Sequence, residues 1–162
     1  MSVFETNIRM VGGLLTVYDF TGDKLFLLKA EECAKKLMPA FNTQSGLPKA
    51  SINLRSGQSS LPSWTGGAAI LAEVGTMQME FAYLSQHVNN SVYANTALKV
   101  MDVLNSIKPD NALYPMYVEV APAKFRGGRK YRQTTLLIGS LLILSHQMCR
   151  WGLWVTVSTS TC

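Results

Sequence analysis

The sequence predicts an all-α chain, two helical hairpins joined by long loops with short β segments. Three observations carry that expectation. Four stretches place apolar residues at helical spacing, the breaks inside each pair are short and rich in turn residues, and the paired plan occurs twice with no low-complexity tract.

The first helix is expected over residues 3 to 18. Phe4, Ile8, Val11 and Leu15 fall at i, i+4, i+7 and i+11, which puts them on one face. Glu5 and Arg9 are four apart and also share a face. On its own that pair reads as a surface ion pair worth a few tenths of a kcal/mol. Thr21-Gly22-Asp23 ends the helix, and Asp23 caps a second one running through Leu25, Leu28, Cys33 and Leu37 to Pro39. Lys29, Lys35 and Lys36 mark its wet side.

From residue 42 to 63 the periodicity is lost, and Gly46, Pro48, Gly57 and Pro62 punctuate a long connection. Ile52-Asn53-Leu54 reads as a short strand within it, and a loop of this length in a compact domain is usually functional. A third helix is expected from residue 68 to 87, with Ile70, Val74, Met77, Phe81 and Leu84 along one face. Glu73 and Glu80, seven apart, then fall on one stripe. The fourth, about residues 92 to 107, carries Ala97, Val100, Met101 and Leu104, and residues 113 to 118 read as extended chain.

The 162 residues suffice for one ordinary domain, and 48% apolar content supplies a core. The net charge of +5 invites a nucleic-acid partner, but its distribution argues against one. All acids lie at or before Glu119, while the last six basic residues lie between Lys124 and Arg150. Cations gathered at one end are not a binding face on a folded domain. Cys33 falls in a helical run, where a buried free thiol is the common fate. No spacing argument pairs Cys149 with Cys162. His87 and His146 are isolated and read as non-ligands. Asn89-Asn90-Ser91 is an N-glycosylation sequon, which fits a secretory-lumen protein.

Phe4-Glu5-Thr6-Asn7-Ile8-Arg9, Leu37-Met38-Pro39-Ala40-Phe41, Ala72-Glu73 with Glu80-Phe81, and Leu113-Tyr114-Pro115 are four distinctive strings. Together they resemble glycoside hydrolase family 47, the class I α-1,2-mannosidases. The resemblance covers residues 1 to 128, roughly a quarter to a third of such a catalytic domain, which exceeds an ordinary single domain. It implies a fragment of an (α/α)7 barrel from an enzyme that trims terminal α-1,2-linked mannose from high-mannose N-glycans by an inverting mechanism. Inversion needs one carboxylic acid to protonate the leaving oxygen and a second carboxylate to activate water.

By the resemblance, Glu5 matches the general acid, Arg9 the forked donor that holds the oligosaccharide, and Glu73 a carboxylate lining the sugar cleft. Glu80 reads as a packed or paired helix residue. The family also implies a bound Ca²⁺, anchored by a segment this sequence does not contain. It implies residence in the ER or Golgi lumen and a type II membrane anchor outside this stretch. No signal segment precedes the opening motif, so the chain is expected to be a piece of a longer one, inactive alone because two hairpins cannot close a barrel. The alternatives are a catalytically silent mannose-binding relative acting in glycoprotein degradation, and a plain helical interaction module.

After Gly128 the resemblance stops, and residues 129–162 read as a non-homologous tail. Arg129-Lys130-Tyr131 can be encoded with the splice-donor string GTAAGT, and Gln147 as the acceptor CAG. Read in another frame, Met148 to Cys162 can encode His-Val-Gln-Val-Gly-Pro-Val-Gly-Asp-Ser-Phe-Tyr-Glu-Tyr-Leu, the run with which family members continue. The expectation is a retained intron whose length is not a multiple of three. The apolar run from Thr134 to Leu144 is too short to span a bilayer, and it reads as an aggregation-prone segment.

Overall fold

The computed structural model describes residues 1–110 and 114–126. The tail from residue 127, with Cys149, Cys162, His146 and the apolar run, lies outside the described residues, as does Leu113.

The first helix forms in three segments. α1 (Val3–Thr6) is followed by a π-helical turn (Asn7–Val11) and by α2 (Gly12–Thr21). The Ser2 hydroxyl caps its start by accepting from the Glu5 backbone N–H at 3.2 Å. At its end Gly22 takes φ +68° and returns its N–H to the Tyr18 carbonyl at 2.8 Å. The expected inward stripe is corrected upstream. Val11 and Leu15 are buried, but the positions buried before them are Val3, Thr6 and Asn7, while Phe4 and Ile8 are half-buried. The π-turn is the reason. Its i→i+5 closure, Gly12 N–H to Asn7 carbonyl, takes in an extra residue. The two ends of the helix are therefore out of step by one position, about 100° of rotation.

α3 (Lys24–Leu37) starts at Asp23, whose carboxylate accepts from the Leu25 N–H at 2.8 Å. Its buried face is Leu27, Ala30, Ala34 and Leu37. The expectation for Leu25 and Leu28 is corrected, since both are exposed, and Cys33 is half-buried. The run Leu25-Phe26-Leu27-Leu28 is apolar throughout, so periodicity could not choose its inner side. The two small alanines decide it by letting α3 close on α2 and α5. Lys29, Lys35 and Lys36 are exposed as expected, with ion pairs Lys29–Glu32 at 2.9 Å and Lys35–Glu31 at 3.0 Å.

A 3-10 turn (Met38–Phe41) leads into the long loop, which holds the hairpin β1 (Ser51–Ile52) and β2 (Ser59–Ser60). The expected strand is thus shifted back by one residue. Asn53 instead opens the turn, its side-chain oxygen accepting from the Arg55 and Ser56 amides at 2.9 and 3.3 Å. The hairpin also stitches down the chain's beginning. Val3 N–H donates to the Ala50 carbonyl at 2.8 Å, and Ile52 N–H to the Met1 carbonyl at 2.9 Å.

The expected third helix is broken. β3 (Ala69–Ile70) precedes α4 (Leu71–Val74), and α5 (Gln78–Val88) follows only after Gly75. Ala69 and Ile70 are claimed by β4 (Tyr117–Val120) as sheet partners of Val118 and Tyr117, and β5 (Ala123–Phe125) completes the sheet. Pairing with a distant strand overrides local helical periodicity there. Glycine, a poor helix former, ends α4. The stripe argument for Glu73 and Glu80 therefore fails, because the two sit on different helices.

α6 (Val92–Ser106) buries Tyr93, Ala97, Val100, Met101 and Leu104. The pairs α2/α3 and α5/α6 are the two expected hairpins, and α3 packs on α5 to join them. Phe81 is the aromatic hub, with Phe41 at 5.6 Å and Tyr93 at 6.2 Å between ring centroids. The Tyr93 hydroxyl donates to Glu31 at 3.1 Å. Burial, then the Glu31 charge, pushes that phenol up to about 12. Phe20 and Trp64 are left exposed. Among the described residues no helix is long and apolar enough to cross a membrane.

Candidate active site on the first helix

The Ser2 cap and the stitching of residues 1 to 3 onto β1 fix where the first helical turn begins, and so where Glu5 projects. The Glu5 side chain is 46% exposed and that of Arg9 74%. Arg9 Nε donates to Glu5 Oε2, a charge-assisted contact between two groups on the open side of the helix. Glu73, in the first turn of α4, is half-buried. Loss of solvent pushes its carboxyl above the ordinary carboxylate range, and the negative charge of Glu5 pushes the same way. The fold thus brings Glu5, Arg9 and Glu73 into one electrostatic neighbourhood from two separate elements.

Glu80 has a different setting, near the start of α5. Its Oε2 accepts from the Asn7 side-chain amide at 2.9 Å. Burial raises this carboxyl too, against the lowering effect of its hydrogen bonds. A Cβ at Gly12 would lie 3.4 Å from Glu80 Cγ, an ordinary contact, so the two pack directly together. Of the packed and ion-paired readings of Glu80, the packed one agrees with this geometry, its hydrogen-bond partner being the neutral Asn7 amide.

Asn7, Gly12 and Ser2 are the positions that sequence reasoning missed. The available signals were a polar residue on the inward side of an apolar helix and a Gly-Gly pair inside it.

Asn89 is exposed and closes α5 in the left-handed conformation, φ 51°. His87 Nδ1 lies 2.9 Å from the Tyr83 carbonyl, and its ring stacks on Tyr83 at 4.1 Å. Among the described residues no three His, Cys, Asp or Glu side chains converge, so they offer no carboxylate cage for a calcium ion. A groove of about 980 Å³ lies between the 3-10 turn and the β1–β2 hairpin, lined by Asn42, Lys49, Asn53, Arg55 and Gln58. It holds none of Glu5, Arg9 or Glu73.

The two raised carboxyls set a pH dependence. A carboxyl whose folded pKa exceeds its unfolded value contributes stability below the unfolded value and loses it as pH rises through the folded one. Stability should therefore decline as pH climbs above the ordinary value of 4.5. Glu73→Gln should flatten that decline and raise the urea midpoint at neutral pH. Midpoints measured across the acid-to-neutral range check both.

The described site is an exposed Glu–Arg pair on the first helix whose charge reaches a carboxyl on α4. Sequence comparison supplies the class. The chain belongs to glycosyl hydrolase family 47, whose profile matches residues 1–152. It is 49% identical over 118 residues to mannosyl-oligosaccharide 1,2-alpha-mannosidase MNS1 of Arabidopsis thaliana, covering 72% of this chain and 21% of that protein. Mannosyl-oligosaccharide alpha-1,2-mannosidase IA of Drosophila melanogaster is 44% identical over 126 residues, 77% of this chain and 19% of that one. An alpha-1,2-mannosidase from Trichoderma reesei superposes with a TM-score of 0.69 at 29% identity, over 78% of this chain and 29% of that structure. The chain thus spans about a fifth of the length of the curated relatives it matches.

Proposed function

We propose that this chain supplies the proton-donor side of an inverting α-1,2-mannosidase cleft acting on mannose-bearing N-glycans. The observation that carries the reading is the Glu5–Arg9 pair on the open side of the first helix, with the Glu5 charge felt at half-buried Glu73. Glu5, as the carboxylic acid, protonates the departing glycosidic oxygen. Arg9 anchors and orients the sugar chain through its guanidinium fork. Glu73 accepts from sugar hydroxyls. The carboxylate that activates water, and the oxygen ligands of a calcium ion, are assigned to parts of the family fold outside the described residues. The names of its relatives, mannosyl-oligosaccharide 1,2-alpha-mannosidases, support the substrate class. The exposed sequon at Asn89 supports an ER or Golgi lumen setting, with a membrane anchor outside this stretch.

The test is the anomer released by a chain completed to the family's length. With an α-1,2-linked mannobiose, proton NMR should show β-mannose as the first product. α-Mannose appearing first would overturn inversion. Binding without release would instead mark a silent mannose-binding relative.

Residues 129–162 are read as translation of a retained intron followed by a shifted frame. Transcript sequencing should find messages lacking the intervening bases, and their presence in every clone would refute it.

A further inference from the structure

We propose that Asn7 is a positioning residue, which aims the Glu5–Arg9 pair by clamping its turn of helix onto Glu80 of α5. The proposal rests on the mannosidase reading for its kinetic consequence but not for its geometry. Asn7 is fully buried, at 0% exposure, on the inward side of the first helix. Its side-chain amide donates to Glu80 Oε2 at 2.9 Å, while its Oδ1 has no hydrogen-bond partner among the described residues. A buried polar atom left without a partner costs about 1–3 kcal/mol. An aliphatic side chain would fill this position without that cost, so its gain must lie in the one directional bond it makes.

That bond is well placed to set rotation. Asn7 opens the π-turn, the segment whose wider closure throws the two ends of the helix out of step. Glu5 lies two residues before it and Arg9 two after. Two residues along a helix is about half a turn, so both project on the side opposite Asn7. Rotation of this turn about its axis would therefore swing the acid and its cation together. Glu80 also packs against Gly12, its Cγ 3.4 Å from where a Cβ there would sit. The clamp thus runs from α5 through Glu80 and Asn7 to the functional face of the first helix.

The test exchanges donor and acceptor. Asn7→Asp sets two carboxylates against each other, and adding Glu80→Gln restores one donor facing one acceptor. In the 162-residue chain the NMR signal of the Arg9 Nε–H, which donates to Glu5, is the readout. It should move in Asn7→Asp and return in the double variant. In a chain completed to family length, Asn7→Asp should lower kcat by roughly tenfold to a hundredfold, as misplacement of a reacting group does. KM should stay within about threefold, the mark of an interaction needed for the transition state, and the double variant should recover kcat.

Glu80→Ala, which removes the acceptor from a half-buried position, gives the same result by a route that leaves Asn7 intact. An unmoved Arg9 signal in both Asn7→Asp and Glu80→Ala overturns the proposal. So does loss of kcat only in proportion to unfolded protein. If instead the signal answers to the exchange while Glu5→Gln leaves hydrolysis intact, the clamp stands and the acid assignment falls.

Discussion

Glu5→Gln in a chain completed to the family's length should lower kcat on α-1,2-linked mannobiose by roughly 10²–10⁴-fold, the contribution of a positioned general acid. Glutamine has the same shape and can still accept from Arg9, but it carries no proton to give. The Glu5–Arg9 pair lies on an exposed face, where such pairs contribute about 0–1 kcal/mol, so the fold should not change. A substrate whose leaving group departs without protonation, α-mannosyl fluoride, separates the chemistry from any loss of binding. Its turnover should fall far less than that of mannobiose. Equal losses on both substrates would mean that Glu5 does something other than donate a proton, and unchanged turnover on mannobiose would remove it from the chemistry.

The second large effect concerns stability. Phe81→Ala should destabilise the chain by about 3–5 kcal/mol, as removal of a buried aromatic ring does. Phe81 is fully buried between Phe41, which follows the first hairpin, and Tyr93 of the second. Emptying that place removes the ring that ties the hairpins together. Against a net stability of about 5–15 kcal/mol for an ordinary domain, that loss is between about a fifth and the whole of it. Urea unfolding of the 162-residue chain followed by circular dichroism measures it. A loss below about 1 kcal/mol would contradict the packing described, because even Ile→Val truncations reach that size.

The hairpins were legible because apolar spacing survives wherever one helix side faces a core. It worked best on α6, where Ala97, Val100, Met101 and Leu104 are buried as their spacing requires. It failed at Leu25 and Leu28, where apolar residues run on without a gap, and at Phe4 and Ile8, where a π-turn changes the period partway. β3 was hidden for another reason: Ala69 and Ile70 become strand only when Val118 and Tyr117, far along the chain, arrive to pair with them. At the site, Glu5 and Arg9 could be read from their four-residue spacing, and Glu73 through motif likeness. Asn7 was passed over, because scoring apolar periodicity ignores a polar residue even on the inward side of a helix. What makes Asn7 matter is a partner on α5, seventy-three positions away.

The stitching of the first three residues has a consequence for motion. Besides the Ser2 cap, the start of the helix that carries the acid has a second fastening. It is held by amides exchanged with residues 50 to 52, inside a loop that sequence alone treats as irregular. Opening free energies differ from segment to segment within one fold, so whatever loosens that loop also frees the carboxyl to wander. Deuterium uptake at the Val3 and Ile52 amides thereby becomes a remote gauge of how steadily the proton donor is held.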